Sequence, residues 1–189
     1  MTKVFSKALM ASESIQSYVG STKFQANDEY AKVVDGAFVV LGDLALDGVY
    51  GVASVDYNVY KSAAPTALTD KVVVCDLAEV EAYTHGDNRV KMGNKLVDLE
   101  AEAGHAVRFR RLAIGDKFWL GEGNFEAAPG ENKYATLTAN KTTLTPAAAQ
   151  PEEGFALKII ASEALTVGQY VKKNGSNFEQ LYLCEVVAL

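Results

Sequence analysis

The chain has 189 residues, of which 49% are hydrophobic and 22% charged, and its 18 basic and 24 acidic residues give a net charge of −6. This composition excludes a disordered or collagen-like protein, and its apolar runs are far shorter than the roughly 20 residues that span a bilayer. Because a negative field repels phosphate backbones, we expect neither a nucleic acid nor a membrane as a partner.

Residues 1–32 differ in composition from the rest of the chain. They are rich in Ser, Thr, Lys, Gln and Asn, and their apolar residues are spaced irregularly, without a clear strand or helix period. The segment is predicted to be either a short amphipathic helix on the domain or an arm that orders only against a neighbouring protein. We therefore divide the chain into this N-terminal segment and a β-rich domain of residues 33–189.

From Val33 onward the sequence consists of short segments rich in β-branched and aromatic residues, each bounded by Gly, Asn, Asp or Pro. Frequent turns between short strands favour a sandwich or barrel over a parallel sheet with crossover helices. The predicted fold is mainly β, an antiparallel sandwich or barrel with an N-terminal arm and at most one or two short helices. The predicted strands are 33–41, 48–52, 55–60, 71–75, 106–109, 117–120, 134–137, 155–160, 169–171 and 180–187.

Three segments between these strands have local signals of their own. The pair Asn174-Gly175 predicts a two-residue hairpin turn, because both residues tolerate positive φ. Residues 96–103 alternate apolar and acidic side chains like a half-exposed strand, yet they are helix formers and are followed by Gly104; of the two readings we favour a short helix. Residues 138–150 predict a loop flanked by weak strand.

Two residue classes indicate how the strands are used. Cys75 and Cys184 adjoin apolar runs and are interpreted as small core residues rather than a disulfide pair, in keeping with folding in a reducing cytoplasm. The basic cluster Arg108, Arg110 and Arg111 has too few interleaved aromatic residues for a nucleic-acid platform, and it is interpreted as a solvated strand face.

No pattern of reactive side chains indicates a catalytic site. His85 and His105 are the only histidines, and neither has a second imidazole or a thiol at ligand spacing. The sequence has no Walker loop, nucleophile elbow or complete dinucleotide fingerprint, and its acidic pairs are typical of solvated faces. We predict no catalytic residue, no metal ligand and no cofactor, and we do not expect an enzyme.

The order of several phrases along residues 29–160 is more informative than any single motif. The phrases are DGAFVVLGDL (35–44), VYK (59–61) with AAPT (63–66), VVV (72–74), LVDL (96–99) with AG (103–104), VR (107–108), RLxxGDxF (111–118) and FxxKII (155–160). In this order they resemble a group of structural proteins of tailed bacteriophages, the small head proteins encoded close to the major capsid protein that decorate or stabilise the capsid shell.

The resemblance implies a virion protein that is made in the host bacterial cytoplasm and binds the outer face of an icosahedral capsid. Its expected partners are the major capsid protein and copies of itself, for example in a trimer. Trp119, the only tryptophan, is expected either in the core or as an interface anchor. The predicted partner-contact residues are Phe5, Leu9, Met10, Tyr18, Phe24 and Trp119.

Two other functions fit the same sequence. A tail-tube or head–tail connector protein would also be a β module with an arm, but it would form rings. A carbohydrate-binding or hydrolytic β domain would carry a ligand groove lined by Trp119 and acidic residues.

Overall fold

The computed structural model describes residues 3–45, 59–77, 100–165 and 179–189. These residues form short β-strands and three single-turn 3₁₀ helices, which confirms the predicted mainly β, antiparallel, sandwich-like fold. The strands are β1 (Phe5–Leu9), β2 (Val19–Ala26), β3 (Glu29–Tyr30), β4 (Val33–Val34), β5 (Phe38–Leu44), β6 (Val59–Ala63), β7 (Val72–Asp76), β8 (Glu100–Ala101), β9 (Val107–Arg111), β10 (Lys117–Gly121), β11 (Tyr134–Leu137), β12 (Leu144–Ala147), β13 (Ala156–Leu165) and β14 (Glu179–Ala188). The 3₁₀ helices are Ala11–Glu13, Gln16–Tyr18 and Glu122–Asn124.

One layer is a six-stranded antiparallel sheet with the strand order β1-β10-β14-β13-β11-β12. Its two longest strands, β13 and β14, pair from Ala156 opposite Ala188 to Leu165 opposite Glu179. The predicted turn Asn174-Gly175 falls between them, outside the described residues. We call this layer the six-stranded sheet.

The other layer closes on itself as a barrel. Strands β2-β6-β5-β7-β9 follow one another, and β9 pairs back onto β2 from Val19 opposite Arg110 to Thr22 opposite Val107. The β2–β6 pair is parallel, whereas the other four pairs of the ring are antiparallel. The long connection from β2 to β6 allows this parallel pairing, which a tight turn could not.

Two apolar cores follow from this arrangement. One lies between the six-stranded sheet and the barrel, with Phe38 fully buried at 5.5 Å from the ring of Phe155 and 6.4 Å from that of Phe118. The other fills the barrel. Strand β7 serves both cores, because its successive side chains point to opposite faces. Val72 and Val74 face the sheet while Val73 and Cys75 face the barrel interior, so every residue of this strand is buried.

The two cysteines lie as predicted, buried within strands and without a disulfide, Cys75 in β7 and Cys184 in β14. Elsewhere the structure differs from the expected secondary structure. Residues 144–147, predicted as loop, form β12 because β11 offers them a complete antiparallel partner. Glu100 and Ala101 belong to strand β8, paired with β4, where we favoured a helix. Predicted strands 48–52 and 169–171, and residues 96–99, lie outside the described residues.

The N-terminal segment also differs from the expected arm or amphipathic helix. Residues Phe5–Leu9 form β1 at the edge of the six-stranded sheet, and Val19–Ala26 form β2 within the barrel. A two-residue turn at Asn27 and Asp28, with φ of 53° and 64°, leads from β2 into β3. The apolar residues of the segment lack a period because they serve two different cores, Phe5 and Met10 in one and Phe24 in the other.

Candidate interaction surface

Two buried polar side chains hold the first residues of the chain against the domain. The Asp35 carboxylate accepts the backbone N–H of Phe5 at 2.7 Å and that of Leu77 at 2.9 Å. The Asn124 side-chain oxygen accepts the N–H of Val4 at 3.0 Å, and its amide nitrogen donates to the Asp35 carbonyl at 2.8 Å. These bonds give the start of β1 partners on the barrel as well as on β10.

A third buried side chain holds the end of β1. Asp116, which is also buried, accepts the N–H of Ala11 at 2.7 Å and that of Ala113 at 2.8 Å. A buried polar group stabilises a fold only when its hydrogen-bonding capacity is met. The backbone of the N-terminal segment supplies part of that capacity here, so the segment and the three side chains depend on one another.

Burial dominates the protonation of Asp35. Desolvation raises the pKa of this carboxyl from 3.8 to about 7, although the N–H groups of Leu77 and Phe5 oppose the shift, and the nearby Asp76 adds to it. Between the unfolded and the folded pKa, the folded protein therefore binds one proton more than the unfolded chain. Such a group makes its full contribution to stability at low pH and loses it as the pH rises through the folded pKa.

The free energy of unfolding is expected to depend on pH in this way. Relative to Asp35→Asn, the wild type should lose about 1.4 kcal/mol of stability per pH unit between about pH 4 and pH 7. Urea denaturation of both proteins at pH 4.5, 5.5 and 6.5 measures this slope. Asp70→Asn is the matched control: hydrogen bonds from Ala67 and Thr66 lower the pKa of Asp70, so its contribution is constant above about pH 5. A flat difference for Asp35→Asn would mean that the N–H donors outweigh desolvation.

An ion network joins the N-terminal segment to the barrel. The Asp76 carboxylate receives Arg110 Nε at 2.6 Å and Arg108 Nη2 at 2.8 Å. Arg110 Nη1 continues to Ser12 Oγ at 3.2 Å and Glu13 Oε1 at 3.0 Å. The side chains of Arg110 and Asp76 are only 5% and 3% exposed, so the interpretation of the arginine cluster as a solvated face is wrong for Arg110.

The side of the six-stranded sheet turned away from the barrel, here called the outer face, presents a tryptophan. Along β10, Phe118 and Leu120 point into the core, so Trp119 between them points outward and is half-buried. Its neighbours in the same row are Ser6 on β1 and the half-buried Leu183 on β14. The next row has alternating charges, Lys117, Glu185 and Lys158.

The six predicted partner-contact residues are divided by the fold. Phe5, Met10 and Phe24 are buried in the two cores and are covered by the chain itself, so they cannot meet a partner in this conformation. Three remain accessible: Leu9 is 66% exposed, and Tyr18 and Trp119 are half-buried. Leu9 pairs with Lys117 and so extends the outer face to its edge, whereas Tyr18 lies at one end of the barrel.

Sequence reasoning missed Leu183 and the charged row beside it. The alternation within β14 shows that Leu183 and Glu185 share one face, but it does not show that β10 lies alongside. The histidines add nothing to the surface: His105 is exposed in a turn, and His85 lies outside the described residues.

Comparison with protein-family models, with curated proteins and with solved structures yields no match for this chain. Among the described residues, no helix is long and apolar enough to cross a membrane.

Proposed function

We propose that the chain is a structural virion protein of a tailed bacteriophage that binds and stabilises the outer surface of the capsid. The observation that carries the proposal is the ordered series of phrases that resembles capsid decoration proteins. Several of these phrases coincide with elements of the fold: residues 35–44 contain β5 and Asp35, whose carboxylate accepts the N–H of Phe5, residues 72–74 lie in β7, and residues 155–160 include the first five residues of β13. The residues that carry the resemblance therefore include residues that form the sheet and the barrel.

Attachment is assigned to the outer face rather than to an N-terminal arm. Protein–protein interfaces commonly have an aromatic anchor with apolar neighbours at their centre and polar residues around the rim. Trp119 and Leu183 supply the apolar centre, and the Lys117–Glu185 pair, 3.7 Å apart, supplies part of the rim. The hydrogen bonds of Asp35 and Asn124 hold the start of β1 in place beside this centre, so little conformational entropy is lost on binding.

Co-sedimentation with capsid shells tests both parts of the proposal. The shells are assembled from the major capsid protein of a tailed bacteriophage, the expected partner, and the wild type should co-sediment with them and raise their melting temperature. Trp119→Ala should weaken binding by about 30-fold, as expected for an interface hot spot. The matched control is Leu68→Ala, which removes an apolar side chain that is 45% exposed from the turn between β6 and β7.

The possible results distinguish an error in the proposed function from an error in the assigned binding surface. A wild type that neither co-sediments nor stabilises the shells contradicts the function. Wild-type binding that Trp119→Ala leaves unchanged contradicts only the assignment of the outer face. Negative-stain images should show small oligomers of the free protein, such as trimers, whereas rings or tubes would indicate a tail-tube or connector protein instead.

A further inference from the structure

One end of the barrel opens into a groove of about 680 Å³, which is within the size range of small-molecule sites. Strands β5, β6, β7 and β9 contribute its walls. The side chains that line it include Tyr18, Tyr60, Asp70, Lys71, Val73 and Arg111. We call this groove the barrel mouth.

Strand register places the exposed Arg111 at the barrel mouth, on the same face of β9 as Val107 and Phe109. Val107 and Phe109 on the same strand are buried in the barrel core, and Arg111 follows at the same two-residue spacing. It pairs with Val73, another barrel-core residue. Its guanidinium lies 5.9 Å from the centre of the Phe109 ring, a position in which the ring face orients the cation.

The charge of Arg111 is not matched by a carboxylate nearby. Within the part of the chain that the structure describes, no Asp or Glu oxygen lies within 4.0 Å of its guanidinium. Lys71, at the rim, likewise has no ion-pair partner among those residues. Asp70 also reaches the groove, but its carboxylate accepts the N–H groups of Thr66 and Ala67 at 2.7 and 2.9 Å. These bonds lower the pKa of Asp70 and keep it ionised, so the barrel mouth has two cationic side chains, Lys71 and Arg111, and one acidic side chain.

Two tyrosine side chains line the same groove as these charged residues. The Tyr60 ring is fixed by an edge contact with Phe109, with the ring centres 6.0 Å apart and the planes at 72°. Tyr18 lies on another part of the same groove, and both rings are half-buried. Tyrosine combines an apolar ring face with a hydroxyl that donates and accepts hydrogen bonds, while the arginine fork matches a carboxylate in two parallel bonds.

From these contacts we propose that the barrel mouth binds a sugar ring that carries a carboxylate. The tyrosine faces receive the ring, the phenolic hydroxyls and Lys71 bond its hydroxyl groups, and Arg111 binds the carboxylate. This site lies on the barrel, whereas the outer face lies on the six-stranded sheet, so the inference does not rest on the proposed capsid function.

Three probes separate the two parts of the ligand: glucuronate has both ring and carboxylate, glucose has the ring alone and acetate the carboxylate alone. Isothermal titration of the full-length protein should show glucuronate binding at least tenfold more tightly than either of the others. Equal binding of acetate would reduce the barrel mouth to a simple anion site, and equal binding of glucose would show that charge is not recognised. Either result, or no binding of glucuronate, overturns the proposal.

Variants test whether the sugar binds at the barrel mouth. Arg111→Gln should abolish the difference between glucuronate and glucose, and Tyr60→Phe, which keeps the packing on Phe109, should weaken both sugars severalfold. The matched control, Lys158→Gln, removes a charge from the outer face and should leave all three affinities unchanged. Melting temperatures verify that each variant is folded. Unchanged glucuronate affinity in folded Arg111→Gln would contradict the assignment.

Discussion

Replacing Asp76 by alanine is expected to lower the free energy of unfolding by about 3–5 kcal/mol, because it leaves buried arginine charge without its main partner. Asp76 Oδ2 accepts hydrogen bonds from both Arg108 and Arg110. The exposed Glu13 is the only other carboxylate that contacts Arg110 within the described residues, and it shares its oxygen with Lys7. It cannot take the place of a carboxylate that is itself buried.

Urea denaturation of the variant and the wild type measures this loss. Lys7→Ala is the matched control, since the Lys7–Glu13 pair is solvent-exposed and such pairs contribute little to stability. The control effect should also shrink in high salt, which screens exposed charges much more than buried ones. If Asp76→Ala does not fold, Asp76→Asn keeps one acceptor and should lose about 1.5–3 kcal/mol. A loss below 1 kcal/mol in both variants would contradict a buried network.

This network shows where inference from the sequence reaches its limit. Residues 106–109 are predicted as a strand, and continuing its alternation through observed β9 places Arg108 and Arg110 together on one face. Whether that face meets water or protein depends on Asp76, which lies 34 residues earlier in the chain. The surface interpretation followed the usual behaviour of arginine, and tertiary pairing reversed it for Arg110.

Predicted and observed strands agree best where the local sequence of the strand is enough to predict it. β7, β10 and β11 match within one or two residues, because each is a β-branched or aromatic run between turn residues. β1 and β2 were missed because their stability comes from partners elsewhere: buried carboxylate and amide groups hold β1, and β6 pairs with β2 in parallel. The Asn27–Asp28 turn was a usable signal, since both residue types tolerate positive φ.

The candidate surface was predicted in part for the same reason. Trp119 stands out in the sequence as the only tryptophan, and its strand could be identified. Which neighbours share its face depends on the order of strands in the sheet, which joins β10 to β1 and β14 from opposite ends of the chain. Register of that kind is set by packing rather than by local sequence.

Replacing Gly154 by alanine is expected to lower the free energy of unfolding by about 3 kcal/mol or more, through two effects. Gly154 has a φ of 81°, a conformation that costs other residues roughly 1–2 kcal/mol. An added Cβ would also overlap the carbonyl oxygen of Leu68 and lie 2.7 Å from its carbonyl carbon. These are backbone atoms, so a side-chain rotation cannot relieve the overlap.

Gly115→Ala separates the two effects, since Gly115 has a φ of 93° but nothing within 4 Å of an added Cβ. This control should lose only the conformational cost of about 1–2 kcal/mol. In Gly154→Ala the overlap must also displace the Leu68 carbonyl, which accepts the N–H of Phe155, and the Phe155 ring packs at 5.5 Å from Phe38 in the core. The Gly154→Ala substitution is therefore expected to disturb the packing between the six-stranded sheet and the barrel. Equal losses in urea denaturation would show that the turn containing Leu68 moves aside without cost, which would contradict this coupling.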